Sequence, residues 1–145
     1  MAASYARSRA ADAKGEYMEV AGVFFGPVDP ETTRCHFSKE FTGTTSRIIE
    51  TRDEGRRVCG EDEPVLATYH THMNPKGQTG PNRLAPSGSD LRNALNAGGR
   101  EHYVVDPWVV HVIDEHGYRQ LGPVSALLPV TAPPIPKGLT STVEA

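Results

Sequence analysis

Residues 64–72 read Pro-Val-Leu-Ala-Thr-Tyr-His-Thr-His, a stretch that combines a strand signal with a candidate metal site. Its apolar and β-branched side chains predict a buried strand from Pro64 to His70, and the proline stands at the entrance, where no ladder hydrogen bond is lost. Side chains two residues apart on a strand point to the same face, so His70 and His72 can share one metal ion. Neutral imidazoles are typical zinc ligands, and a hydrolytic zinc site has three protein ligands and a water.

The segments around this strand predict an α+β domain built on a mixed or antiparallel sheet. The Ala-rich and Arg-rich segment from Ala2 to Lys14 predicts a helix ended by Gly15. The compact apolar run Met18–Phe25 is typical of a central buried strand. Further patterns predict strands over residues 32–41, 44–51, 101–105, 108–114 and 118–121, with turns at positions 43 and 53–55.

Two segments interrupt this pattern. Residues 73–86 contain three prolines and two glycines and predict a long loop, which a helix over residues 87–97 follows. From Pro123 onward the chain carries five prolines, which predicts an extended tail. The 145 residues therefore divide into one domain over residues 1–122 and a tail over residues 123–145.

The composition argues against two classes of partner, nucleic acids and membranes. The chain has 15 Lys and Arg against 18 Asp and Glu, and it lacks the concentrated cationic run that nucleic-acid binding requires. Its longest apolar runs are far shorter than the roughly 20 residues that cross a bilayer. The N-terminal residues lack the apolar core of a signal peptide. We therefore expect no nucleic-acid and no membrane partner, and a location in the cytoplasm or export within a larger protein by a specialised secretion system.

The two cysteines, Cys35 and Cys59, lack the spacing of metal ligands. Both lie in stretches interpreted as strands, so they could meet across the sheet. Buried free thiols in a reducing cytosol are the favoured interpretation.

Asp90 is the candidate third metal ligand, because it lies in the first turn of the helix predicted after the loop. Ser87 precedes it by three residues, so the hydroxyl and the carboxylate share one helix face. The same Ser-x-x-Asp pattern is typical of a helix cap, with the serine as N-cap and the acid in the positive first turn. Taken alone, this pattern favours the cap.

Three motifs together resemble the JAB/MPN family of zinc metalloproteases, whose JAMM motif is Glu-x-x-Gly, then His-Ser/Thr-His-Pro, then Ser-x-x-Asp. The chain has these residues in the same order, and the resemblance covers residues 19 to about 95: Glu19-Val20-Ala21-Gly22, His70-Thr71-His72 and Ser87-Gly88-Ser89-Asp90. The Ala-rich N-terminal helix and the Tyr-His-Thr-His strand end are similar to the bacterial DUF4329 branch of Rhs-type and polymorphic toxin domains. Met73 replaces the family's proline, and 14 residues separate His72 from Ser87, so the rim of the site differs.

The resemblance implies a JAB/MPN-like (cytidine-deaminase-like) domain whose mixed sheet is flanked by the N-terminal helix and a metal-site helix. It implies a metallopeptidase or isopeptidase in which Zn²⁺ is held by His70, His72 and Asp90. In that family pattern Glu19 activates the attacking water and Ser87 stabilises the oxyanion. The implied substrate is a protein or peptide, the implied setting is a bacterial effector or toxin module, and a cognate immunity protein is a candidate partner.

Several alternatives stay open. Glu16, three residues before Glu19, is a competing general base. A metal-free JAB-fold scaffold that binds a partner and a zinc hydrolase of a non-peptide amide are competing functions. Nucleobase deamination is disfavoured, because zinc deaminases use His-x-Glu and a downstream cysteine pair that this sequence lacks.

The remaining histidines and the tryptophan carry weaker signals. His111 alternates with valines, which favours a packed or surface strand position over a metal ligand. Trp108 is predicted to anchor the core, with the substrate groove as the alternative. Three histidines lie outside the motif: His36, His102 and His116.

Overall fold

A computed structural model describes residues 1–14, 16, 18–26, 35–42, 47–72, 92, 96, 98 and 100–131 of the protein. Its elements in chain order are α1 (Ala2–Ala13), β1 (Met18–Phe25), β2 (Cys35–Thr42), α2 (Ile48–Cys59), β3 (Val65–Thr71), β4 (Glu101–Val105), β5 (Val109–Asp114), β6 (Gly117–Pro123) and α3 (Val124–Leu127).

Within the described residues, six strands form one mixed sheet in the order β2-β1-β3-β4-β5-β6. The pair β3 and β4 is parallel, and the other neighbouring strands are antiparallel. The predicted α+β class and the mixed sheet are confirmed. The predicted interior position of β1 is also confirmed, because β1 lies between β2 and β3.

The helices α1 and α2 cover opposite faces of this sheet. On one face, the hydroxyls of Ser4 and Ser8 in α1 lie 2.8 Å from Tyr69 Oη and 2.6 Å from Thr71 Oγ1. On the other face, Ile48 of α2 packs against Ala21 of β1. Ala21 is aligned with His70, so the strand alternation places His70 on the α2 face.

The helix α2 corrects the prediction of a strand over residues 44–51 and a turn over residues 53–55. Its buried positions are Ile48, Thr51 and Gly55, which follow helical spacing, but only one of them is strongly apolar. Gly55 is required by packing, since a Cβ atom there would lie 2.7 Å from the ring of Phe25. A glycine that sequence patterns associate with a turn therefore sits inside a helix.

The cysteines correct a second prediction. Cys35, in β2, and Cys59, the last residue of α2, form a disulfide with an S–S distance of 2.07 Å. The favoured interpretation as free thiols was wrong, and so was the strand position of Cys59. The physical reason is that residues 48–59 form a helix that packs against β2. The last residue of this helix, Cys59, therefore lies beside the first residue of β2, Cys35.

The segment from Pro123 was expected to be extended, but its first part folds onto the domain. Pro123 ends β6, and the four residues of α3 follow it directly. Val124 is fully buried in a cluster with Tyr5, Val105 and Val110. Residues 132–145 lie outside the described part of the chain.

The predicted loop over residues 73–86 lies outside the described residues, as does most of the helix predicted over residues 87–97. Arg92 and Asn96, the two described members of that segment, are helical. No helix in the described part of the chain is long and apolar enough to cross a membrane.

Candidate metal centre

The candidate centre lies at the end of the sheet where β3 finishes and β1 starts. These antiparallel strands align Ala21 with His70; Glu19 precedes Ala21 by two residues in β1, and His72 follows His70 by two residues, directly after β3. Two hydrogen bonds join the strands at this end of the sheet. The Val20 N–H donates to Thr71 Oγ1 at 2.8 Å, and the His72 N–H donates to the Val105 carbonyl at 2.8 Å. Glu19, His70 and His72 therefore share one end and one face of the sheet.

The polar side chains at this end of the sheet are largely buried. Glu19 is only 2% exposed and His70 only 1%, while His72 is partly buried. The ring centroids of His70 and His72 lie 6.0 Å apart. Zinc–nitrogen bonds are about 2.1 Å long, so one ion binds both rings when a nitrogen of each ring faces it. The two imidazoles are donors of the kind that zinc prefers, and the buried carboxylate of Glu19 belongs to the same end of the sheet.

A third histidine, His102 of β4, contacts His70 from the neighbouring strand. Nδ1 of His70 lies 2.9 Å from Nε2 of His102, and Nδ1 of His102 lies 2.6 Å from Thr68 Oγ1. Burial lowers the pKa of His102 well below its usual range, and the nearby His70 acts in the same direction. Burial therefore favours the neutral ring of His102, in which one ring nitrogen is a donor and the other an acceptor.

Sequence reasoning missed His102 and left it outside the motif. The contact depends on the parallel register of β3 and β4, which aligns Thr68 with His102 and His70 with Val104. Strand alternation puts His102 and Val104 on one face of β4, but it does not say which residues of β3 they adjoin. The only available signal was a histidine inside a short strand downstream of the His-Thr-His motif.

A second buried network lies on the same face, one strand further along the sheet. Nε2 of His111 lies 2.7 Å from Asp106 Oδ2, and Nδ1 lies 2.5 Å from the Tyr118 hydroxyl. Asp106 Oδ1 also accepts the backbone N–H groups of Trp108 and Val109 at 2.8 and 2.6 Å. Of the two strand positions predicted for His111, packed or at the surface, the structure has the packed one, since His111 is fully buried.

Trp108 is only partly buried, and its backbone N–H donates to Asp106 Oδ1 in the turn after β4.

Gly22, the glycine of the Glu-x-x-Gly motif, has a packing role. A Cβ atom on Gly22 would lie 2.1 Å from the ring of Tyr69, so only glycine leaves space for that side chain. The Tyr69 hydroxyl then reaches both Ser4, at 2.8 Å, and His36 Nε2, at 2.7 Å.

Two of the predicted site residues, Ser87 and Asp90, lie outside the described part of the chain. Among the residues that the structure describes, no three His, Cys, Asp or Glu side chains form a metal-binding group. Arg52 of α2 donates to the Asn96 carbonyl at 3.2 Å, so Asn96 lies on the α2 side of the sheet, the side that carries His70. Glu16, the competing base, is exposed and precedes β1.

No model of a known protein family matches this sequence, and no curated protein matches it. Any candidate function of this protein therefore depends on the geometry at this end of the sheet and on the motif residues.

Proposed function

We propose that the protein is a JAB/MPN-like zinc metallopeptidase or isopeptidase that hydrolyses an amide bond. The observation that carries this proposal is the meeting of Glu19, His70 and His72 at one end and one face of the sheet. A strand that presents two histidines beside a buried glutamate provides metal ligands and a base within one site. The order of the motif residues along the chain supports the same conclusion.

Zinc would be held by His70, His72 and Asp90. The His70 and His72 rings are close enough for one ion, as their 6.0 Å centroid separation indicates. Asn96, six residues after Asp90 in the sequence, lies on the α2 side of the sheet, the side that carries His70. When bound, zinc supplies a water whose pKa falls towards about 7, so that hydroxide is available at neutral pH.

Glu19 is the proposed general base. It is 2% exposed and lies in β1, at the end of the sheet where His70 and His72 lie, and its carboxylate would accept the proton of the attacking water and deliver it to the leaving amine. Glu16 is less suited to this role, because it is exposed and lies outside β1. Ser87 would donate a hydrogen bond to the developing oxyanion.

The proposed setting is a bacterial effector or toxin module that acts on a protein or peptide and is restrained by a cognate immunity protein. The disulfide between Cys35 and Cys59 supports export over a cytoplasmic location, because disulfides persist in oxidising environments.

Metal analysis of the purified chain tests the proposal. We expect about one zinc per chain in the wild type and in His116→Ala, a matched control whose imidazole is 75% exposed. Zinc should be lost from His70→Ala, His72→Ala and Asp90→Ala. Absence of zinc from the wild type would reject the enzyme and favour a scaffold that binds a partner.

The base assignment is tested with Glu19→Gln and Glu16→Gln. Glu19→Gln should retain zinc and fold while turnover falls by about 10²- to 10⁴-fold, the usual contribution of a general base. Glu16→Gln should behave like the wild type. The readout requires no known substrate: each variant is expressed in a bacterium, and the newly generated protein termini are identified. The same set of new termini from the wild type and from Glu19→Gln would contradict the assignment.

A further inference from the structure

Three polar side chains form a continuous buried chain that leads from the interior of the sheet to the candidate metal centre. Thr68, His102 and His70 are each at most 2% exposed. They are joined by contacts of 2.6 Å between Thr68 Oγ1 and His102 Nδ1 and of 2.9 Å between His102 Nε2 and His70 Nδ1. His102 thus uses both of its ring nitrogens inside the protein, and one of them on a motif histidine.

The chain of hydrogen bonds has two possible directions. In the first, His70 Nδ1–H donates to His102 Nε2, and His102 Nδ1–H donates to Thr68 Oγ1. In the second, both bonds are reversed, and a neutral His70 then carries its proton on Nε2. A metal binds only a ring nitrogen without a proton, so the first direction alone prepares Nε2 of His70 as a ligand.

We propose that His102 is a positioning residue of the metal centre: by accepting the His70 Nδ1–H it holds His70 as the tautomer, and in the ring orientation, that binds zinc through Nε2. This inference rests on the proposed function. Metal-bound histidines nearly always donate their second N–H to a fixed acceptor, commonly a carboxylate or a backbone carbonyl. Here the acceptor is the imidazole of His102, whose other ring nitrogen contacts Thr68.

The alternative is that His102 only fills space in the core. Leucine at position 102 would fill most of the same volume but would accept no hydrogen bond from His70. Glutamine would place a side-chain oxygen close to the position of His102 Nε2 and could still accept. The pair His102→Leu and His102→Gln therefore separates positioning from packing.

The experiment measures zinc affinity of the metal-free full chain by competition with a chelator, with zinc alone as the probe. We expect His102→Leu to bind zinc about 10- to 100-fold more weakly, the range seen when such supporting partners are removed. His102→Gln should remain within about threefold of the wild type. Thermal unfolding of the metal-free variants checks that each one folds.

A second measurement needs neither zinc nor activity. Long-range ¹H–¹⁵N spectra of the metal-free wild type distinguish the two tautomers of His70, and we expect the proton on Nδ1. A proton on Nε2 overturns the inference. If His102→Leu does not fold, this spectrum and the affinity of His102→Gln decide, and a tenfold loss in His102→Gln also overturns it.

The outcomes separate the two proposals. A wild type that binds no zinc overturns the proposed function together with this inference. Zinc that is bound by the wild type and equally tightly by His102→Leu overturns the positioning role alone. Weaker binding in His102→Leu with retention in His102→Gln supports both.

Discussion

His102 and His111 are buried histidines on one face of the same sheet, in the adjacent strands β4 and β5, and the chemistry of their partners differs. His111 bonds to the carboxylate of Asp106 at 2.7 Å and to the Tyr118 hydroxyl at 2.5 Å. His102 contacts the Thr68 hydroxyl at 2.6 Å and the His70 ring at 2.9 Å. Both rings use both nitrogens, but only the second network leads to a motif histidine.

The difference between the networks teaches what a buried histidine can do. A carboxylate partner anchors His111, and the same Asp106 carboxylate accepts two backbone N–H groups of the turn after β4. This network braces the β4–β5 connection beside the strand end that carries His72. The Thr68–His102–His70 network has no charged group among the partners described above, so it can orient His70 without adding charge to the centre. The first network is expected to control stability and the second to control zinc affinity.

The largest expected effect is on the first network. Asp106→Ala removes the acceptor of three hydrogen bonds at a fully buried position, so we expect the free energy of unfolding to fall by about 3–5 kcal/mol. Urea unfolding of the metal-free protein measures it. A loss below about 1 kcal/mol would mean that the network is not a structural brace.

Removal of the disulfide tests whether zinc affinity simply follows stability. The bond closes a loop with a sequence separation of 24, so Cys35→Ala combined with Cys59→Ala should lower the free energy of unfolding by about 3 kcal/mol. Zinc affinity of the folded variant should stay at the wild-type value, because the hydrogen bonds of the two networks involve neither cysteine. A parallel drop in affinity would erase the distinction drawn between them.

A matched pair of hydroxyl deletions compares the networks directly. Thr68→Val and Tyr118→Phe each remove a hydroxyl that is hydrogen-bonded to a buried histidine. Each substitution should therefore lower the free energy of unfolding by about 1–3 kcal/mol. Chelator competition should show weaker zinc binding only in Thr68→Val, since Thr68 orients His102. Equal zinc affinities in the two variants would count against the division of roles.

The smallest effect is expected at Asp114, in the turn that leads to Tyr118. Partial burial alone would raise the pKa of Asp114, but the His116 N–H and the Arg119 guanidinium hold this pKa below its usual 3.8. The unfolded chain therefore takes up a proton first as the pH falls, so the stabilisation is present above pH 3.8 and is lost as the pH falls through the folded pKa. Asp114→Asn should be slightly less stable than the wild type at neutral pH.

Unfolding curves of Asp114→Asn and the wild type, measured from pH 7 downwards, should converge in acid. Zinc affinity should be equal in the two proteins. A stability difference that grows towards low pH would have the wrong sign for this ion pair.

Local patterns predicted most of the sheet. The apolar run of β1, the strand before His70 and the alternating strands after residue 100 were all recognisable, because each buries a face with a period of two. The helix α2 was not, since Thr51 and Gly55 are weak markers of a buried helix face. Gly55 is small because Phe25 of a distant strand needs the space, and no local pattern carries that information.

The candidate site divides in the same way. The sequence by itself predicted that His70 and His72 lie on one face at the end of a strand and that Glu19 lies near the start of a buried strand, because strand periodicity is a local property. Only the tertiary structure decided that His102 contacts His70 and that Cys35 bonds to Cys59. Both contacts depend on the register between strands and on how a helix packs across them, which arise from the whole core rather than from neighbouring residues.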